Sequence, residues 1–285
     1  MTIKSVGIVG SGIMGAGIAE VAAKSGHQVV LRSRQQSSAD AMVAALEKSL
    51  AKQVEREKIT AEDSAAILAR VTATSKLHDL VECDLVLESV VEDLAVKKEL
   101  FRELDDICKE GAIIATNTST LAVVEMAMET TRADKVCGVH FFNPAPMMSL
   151  VEIVRPVTAS DDTMAEVRAF AEACGKSPVE VKDRAGFIVN ALLFPYLNNA
   201  VRMLENGTAS RDDIDTAMKG GCNFPMGPLA LLDLVGLDTS LAILDALYDE
   251  FRDPNYAAMP LLRRMVTAGQ LGRKSGLGFY DYTKR

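Results

Sequence analysis

At 285 residues, with 48% hydrophobic and 25% charged side chains, the chain can build one large domain or two moderate ones, and it is too apolar for a disordered or fibrous protein. A net charge of −8 argues against a general nucleic-acid or anionic-membrane binder, so an anionic ligand would need a local basic site. Five cysteines, an odd number with no C-x-x-C pair, fit reduced thiols in a cytoplasmic protein better than a disulfide framework or a zinc site.

From Met1 the chain passes one lysine and enters the apolar run Val6–Val9, so no signal peptide is expected, and no apolar run is long enough to cross a bilayer. Val6–Val9, Gln28–Leu31, Leu85–Val90, Ala112–Ala115 and Val136–His140 read as buried strands. Between them Ile13–Ser25, Ser38–Glu57, Leu94–Lys109 and Leu121–Met128 read as helices. Two further strands are expected at Leu150–Val154 and Pro178–Lys182, around a helix near Asp162–Cys174. The alternation predicts an α/β domain of Rossmann type, a mainly parallel sheet covered by helices, over residues 1–183. After Asp183 the pattern turns helical: Phe187–Leu204, Arg211–Met218, Leu229–Leu234, Ser240–Phe251 and Leu261–Ala268. Gly207, Gly220, Gly221, Gly236 and Gly269 read as stops between these helices. Residues 184–285 are therefore expected to form an all-helical domain. The helix from Phe187 is apolar on nearly every side, which predicts burial.

The strand ending at Val9 runs into Gly10-Ser11-Gly12-Ile13-Met14-Gly15, a G-x-G-x-x-G turn that opens a helix. Gly10 permits the tight turn, Gly12 lets a pyrophosphate approach the backbone, and Gly15 allows close helix–strand packing. The helix N-terminus then faces the phosphates, which makes this segment a candidate nicotinamide-dinucleotide site. An NAD site usually carries an acid at the end of the second strand to bind the ribose 2′-hydroxyl. Here that place holds Arg32-Ser33-Arg34. A carboxylate repels a 2′-phosphate whereas serine and arginine bind it, so Ser33 and Arg34 favour NADP over NAD. Surface charge after a strand is the alternative.

Of three histidines, His27 and His78 sit in connections and read as solvated. His140 differs, because it ends an apolar strand at the sheet edge where α/β proteins bind ligands. Imidazole is a natural base for deprotonating an alcohol, although a satisfied structural histidine fits the position equally well. Glu152 lies inside the apolar run Leu150–Val154 and needs a partner if buried. A pair with His140 would satisfy it, and an edge strand facing water is the other reading. Lys48, Lys52 and Arg56 recur every four residues and make a basic stripe, with Ser49 three residues before Lys52 on one face.

The run Gly10 to Ala19, Asn117-Thr118-Ser119, His140 to Pro146, Leu150 to Val154, Gly186 to Asn190 and Pro225-Met226-Gly227-Pro228 together resemble the L-3-hydroxyacyl-CoA dehydrogenase family. Gly236-Leu237-Asp238 and Gly276 to Tyr280 extend the resemblance over almost the whole chain, whose length is most similar to the bacterial 3-hydroxybutyryl-CoA dehydrogenases. The resemblance implies hydride exchange between a nicotinamide cofactor and C3 of a short-chain (S)-3-hydroxyacyl-CoA or its 3-oxo partner. It implies His140 as catalytic base, Glu152 as its orienting partner, and Ser119 and Asn190 as donors to the reacting oxygen. Glu92, Lys97, Asn143 and Lys274 match family contacts to the nicotinamide half of the cofactor, while without the family each reads equally as a solvated surface charge or a turn-stabilising residue. Ser49, Lys52 and Arg56 match the helix that contacts the CoA nucleotide, with Arg56 where a lysine is usual. It also implies that the helical domain, residues 184–285, serves substrate binding and forms a homodimer. Two rivals remain at this stage: a dehydrogenase of a free hydroxy acid or sugar acid on the same scaffold, and a non-catalytic dinucleotide-binding protein.

Overall fold

The structure, a computed structural model, describes residues 3–283; Met1 and Thr2, where the reading of the N-terminus begins, lie outside the described residues. The chain divides into two compact units, one ending at Asp183 and one beginning at Arg184. In the first, β1 (Ser5–Val9), α1 (Ile13–Lys24), β2 (Gln28–Arg32), α2 (Gln36–Glu55), α3 (Ala61–Leu68), β3 (Val71–Thr74), β4 (Leu85–Glu88) and α4 (Leu94–Ile107) follow in turn. Then come β5 (Ile113–Thr116), α5 (Val123–Ala127), β6 (Val136–Phe141), β7 (Leu150–Arg155), α6 (Asp161–Ala173) and β8 (Ser177–Lys182). The strands form one sheet in the order β3-β2-β1-β4-β5-β6-β7-β8. All neighbours are parallel except β6 and β7, which run antiparallel.

Strand order reverses between β1 and β4, which opens a crevice at the carboxyl ends of the strands. The central strands are apolar because helices cover both faces: every residue of β4, β5 and β6 is buried. That burial includes Glu88 and His140, two polar residues at the carboxyl ends of their strands. The helix α3 and the edge strand β3 were not expected from the sequence. Each buries one residue, Ile67 or Thr74, so neither shows an apolar period. His27, expected to be solvated, is instead buried at 9% exposure with its ring 5.1 Å from that of Phe170. Burial pushes its pKa down, against a hydrogen bond with the Ile3 backbone.

Asp84 ties the opening of β4 to that of β1. Its carboxylate accepts from the Lys4 and Ser5 N–H groups at 2.8 and 2.9 Å and from the Lys109 ammonium at 2.7 Å. Burial opposes its ionisation, but Lys109 and these donors outweigh burial and hold the pKa down to about 2. A depressed folded-state pKa gives stability that is present above the unfolded value of ~4 and lost as pH falls toward 2; its size is about 2 kcal/mol. Asp84→Asn should therefore lower stability by about that amount at pH 7, with the gap from wild type closing below pH 4 in thermal or urea unfolding. A gap that persists at low pH would assign the loss to packing instead.

The second unit is helical: α7 (Val189–Glu205), α8 (Arg211–Cys222), α9 (Pro228–Val235), α10 (Leu237–Phe251) and α11 (Pro260–Thr267). Phe194, Leu197, Val201, Leu229, Leu232 and Leu244 contribute to its core. Gly236 and Gly269 follow helix ends with positive φ, whereas Gly220 and Gly221 lie inside α8, which stops at Asn223 in the left-handed region. Asparagine tolerates that conformation, so here it, and not the glycines, ends the helix. The α7 helix is buried on one side only, since Leu192 remains 73% exposed. No helix among the described residues is long and apolar enough to cross a membrane.

Candidate active site

The crevice begins at the glycine turn between β1 and α1. Gly10 has φ +133°, and a Cβ there would sit 2.2 Å from the Ser89 carbonyl oxygen. A Cβ at Gly15 would sit 2.4 Å from the Gly10 carbonyl oxygen, so both glycines are required by packing. Gly12 is different, because a Cβ there meets nothing within 4 Å. It is the N-cap of α1 and uses no side chain to cap that helix, so open space and backbone N–H groups coincide, with Ile13 and Met14 just inside the helix. That is the geometry a pyrophosphate needs, and a dinucleotide therefore fits.

The turn opens into a cavity of about 640 Å³ that Arg32, Ser33 and Arg34 line from β2 and Glu99 and Glu103 line from α4. Ser33 is buried at 4% exposure, and Arg34 is exposed. The Arg32 Nε is buried with no hydrogen-bond partner among the described residues. Burial pushes the Arg32 pKa down, with Glu103 opposing that shift and Arg34 adding to it.

Past the turn, three charges lock together. Lys97 is 1% exposed and is held between Glu88 at 2.6 Å and Glu92 at 3.3 Å, so it is not the solvated charge its sequence position allows. Glu88 also accepts from Thr116 Oγ1 at 2.7 Å and the Val90 N–H at 2.6 Å. Glu92 accepts from the Ser119 N–H at 3.0 Å and from the Thr118 hydroxyl. Burial works against the Glu92 carboxylate, but Lys97 and these donors prevail and keep its pKa below the ordinary range. The network thus pins the loop after β5 that carries Ser119. Sequence reasoning missed Glu88, although an acid within the apolar run Leu85–Val90 was the signal.

The same loop is joined to β6, because Asn117 Oδ1 accepts from the Phe141 N–H at 2.8 Å. One residue earlier, His140 stands directly opposite Glu152 in the antiparallel ladder. Side chains at such positions start about 5 Å apart at Cβ, which is within reach of a hydrogen bond. His140 Nδ1 lies 2.7 Å from Glu152 Oε2, with the histidine 7% and the glutamate 0% exposed. The edge-strand reading of Glu152 is thereby excluded. Phe142 covers the imidazole, ring centres 4.5 Å apart. An ionised carboxylate at that distance favours the tautomer with the proton on Nδ1, an arrangement able to act as a base.

Asn143 follows, exposed and before a cis bond to Pro144. In the second unit Asn190 lies in the first turn of α7 at 8% exposure, and Lys274 pairs with Asp238 at 2.6 Å.

The basic stripe lies along another opening of the first unit. Lys48, Ser49, Lys52 and Arg56 border a cavity of about 570 Å³ together with Lys24 and Lys58. Arg56 is the C-cap of α2, one residue past its last helical position. Pro144, Pro146 and Met147, from the segment after His140, line the same cavity. The sequence stripe did not include Lys24 or Lys58, which come from α1 and from the turn after α2.

Comparison with known proteins adds an independent line. Residues 5–184 match the family model described as 3-hydroxyacyl-CoA dehydrogenase, NAD binding domain, and residues 186–282 match that of the 3-hydroxyacyl-CoA dehydrogenase C-terminal domain. The chain is 49% identical to a 3-hydroxybutyryl-CoA dehydrogenase of Clostridioides difficile, over 97% of this chain and 99% of that one. It is 46% identical to a 3-hydroxybutyryl-CoA dehydrogenase of Mycobacterium tuberculosis, over 98% and 99%. Among solved structures, (S)-3-hydroxybutyryl-CoA dehydrogenase from Ralstonia eutropha aligns at TM-score 0.97 and 44% identity, over 99% of this chain and 100% of that one.

Proposed function

Since the chain belongs to the 3-hydroxyacyl-CoA dehydrogenase family, we propose that it interconverts (S)-3-hydroxybutyryl-CoA and acetoacetyl-CoA, and that it takes NADP in preference to NAD. The observation that carries the reading is the buried His140–Glu152 pair at the end of β6. With Nδ1–H given to Glu152, Nε2 is the basic nitrogen that takes the hydroxyl proton as the substrate is oxidised and returns it in the reverse direction. Glu152 stabilises the imidazolium formed in that step. The nicotinamide ring, when bound, takes up or supplies the hydride exchanged with C3. Ser119, on its pinned loop, is assigned as a donor to the reacting oxygen, and Asn190 is assigned the same role because it matches the family amide. Gly10, Gly12, Ile13, Met14 and Gly15 would hold the pyrophosphate, and Glu92, Lys97, Asn143 and Lys274 the nicotinamide half. The choice of NADP rests on Ser33, Arg34 and the Arg32 donor in the cavity beside the glycine turn.

The basic cavity of Ser49, Lys52 and Arg56 is assigned to the CoA nucleotide, whose phosphates its charge suits. Apolar residues left outside on the helical unit, Leu192, Met203 and Leu234, support a homodimer through that unit. We place the protein in the cytoplasm, where its buried thiols stay reduced.

A steady-state assay of acetoacetyl-CoA reduction, run against acetoacetyl-pantetheine thioester, tests the substrate. Replacing Lys52 and Arg56 together with alanine should raise KM for acetoacetyl-CoA about tenfold with little change in kcat, as loss of uniform binding does. The pantetheine thioester lacks the nucleotide and should be unaffected. An equal rise for both substrates would remove the nucleotide from this cavity.

A further inference from the structure

Glu20, on α1, is 6% exposed and borders the basic cavity. A carboxylate there works against an anionic ligand, so its hydrogen bonds matter more than its charge. Oε1 accepts from Lys24 Nζ at 2.6 Å and from Gln53 Nε2 at 2.9 Å, and Oε2 accepts from Ser49 Oγ at 3.1 Å. Lys24 also donates to Gln53 Oε1 at 2.7 Å, which fixes the amide with its carbonyl toward the lysine and its amine toward the glutamate. A hydroxyl has one proton and two lone pairs. Ser49 gives its proton to Glu20, and Gln53 Nε2 approaches the same oxygen at 3.4 Å. What Ser49 still offers the cavity is a lone pair.

A phosphate oxygen at pH 7 is an acceptor and cannot use that lone pair. The adenine amino group is a donor and can. We propose that Glu20 is a positioning residue for the CoA nucleotide: by taking the serine proton it turns Ser49 into an acceptor that selects the adenine amino group. The proposal rests on the assignment of the nucleotide to this cavity. It places the phosphates against Lys48, Lys52, Arg56 and Lys58, and the base against Ser49.

Three readings of Glu20 predict different signs. If Glu20 were only a charge, Glu20→Gln would lower KM for an anionic substrate. If it only packed α1 against α2, the change would disturb acetoacetyl-CoA and its pantetheine counterpart alike. As a positioning residue, it should alter how the adenine is read and nothing else.

The probes are acetoacetyl-CoA, the same thioester with hypoxanthine in place of adenine, and acetoacetyl-pantetheine thioester. Hypoxanthine presents a carbonyl acceptor where adenine presents the amino donor. Wild type should show a KM for the hypoxanthine analogue about three- to tenfold higher than for acetoacetyl-CoA, the worth of one neutral hydrogen bond. Glu20→Gln, whose amide can donate to Ser49 and release the serine proton, should lose that discrimination while keeping wild-type kinetics with the pantetheine thioester. Ser49→Ala should lose it too, and the double variant should show no further loss, because the two residues act as one unit. Wild-type indifference to the base, discrimination that survives either variant, or a lower KM for acetoacetyl-CoA in Glu20→Gln would each overturn the proposal. If wild type gives the CoA and pantetheine substrates the same KM, the nucleotide assignment fails and the role of Glu20 fails with it.

Discussion

Replacing His140 with alanine should lower kcat by about 10²–10⁴ and leave dinucleotide binding close to wild type, because general-base catalysis contributes on that scale. The binding half of the expectation follows from the structure. The cavity beside the glycine turn is lined by the turn itself, Arg32–Arg34, Ser89–Val91 and α4, and His140 is not one of those lining residues. Glu152→Gln is the sharper probe. A neutral amide can still accept the Nδ1 proton and keep the tautomer, but it cannot stabilise an imidazolium as a carboxylate does. Glu152→Gln should therefore reduce kcat with cofactor affinity unchanged and with a smaller loss than His140→Ala. The measurements are single-turnover reduction of acetoacetyl-CoA and fluorescence titration of the reduced cofactor. Near-normal turnover by cofactor-saturated His140→Ala protein would end the mechanism proposed here.

Changing Ser33 to aspartate should move cofactor choice toward NAD by a factor of about ten to a hundred. A 2′-phosphate brings nearly two negative charges to the end of β2, where Ser33 is buried and Arg34 is exposed beside it. A carboxylate at residue 33 would repel that phosphate and accept from a free ribose 2′-hydroxyl instead. Charge-assisted hydrogen bonds are worth about 1.5–3 kcal/mol, and ~1.4 kcal/mol corresponds to a tenfold change. Arg34→Ala alone should weaken NADPH more than NADH, and added salt should blunt the difference because Arg34 is exposed. Arg32 should respond less to salt, since its Nε is buried and screening acts less on buried charges. The ratio of kcat/KM for NADPH and NADH in wild type and each variant decides the matter. A wild-type ratio strongly favouring NADH would defeat the NADP assignment and leave the rest of the reaction standing.

What was legible in the sequence was whatever depends on neighbours along the chain. The glycine turn can be read because its three glycines and the flanking strand and helix are contiguous. The buried strands can be read because both faces of β4, β5 and β6 are covered, so the runs are apolar throughout. Glu152 stood out as an acid among valines, leucine and isoleucine, although only the ladder register decides that it faces His140. By contrast α3 has no apolar stripe, and its one local sign was the capping box from Thr60 to Asp63, which alone does not make a helix. The one-sided burial of α7 was hidden because Leu192 is as apolar as its buried neighbours. Least legible were contacts between distant side chains. Nothing near Glu20 in sequence points to Ser49 and Gln53, and nothing near Lys97 says that a lysine on a helix will be enclosed by two glutamates.

Because His140 and Glu152 meet as partners across a ladder, their spacing is set by backbone hydrogen bonds of β6 and β7 and not by the segment that joins the two strands. That segment carries Asn143, Pro146 and Met147, and Lys176 fastens it by donating to the Ala145 and Met148 carbonyls at 2.7 and 2.8 Å. Ladder register and cavity lining are thus set by separable stretches of chain. Changes at Pro146 or Met147 would alter the lining of the basic cavity without changing which residue stands opposite His140 in the ladder.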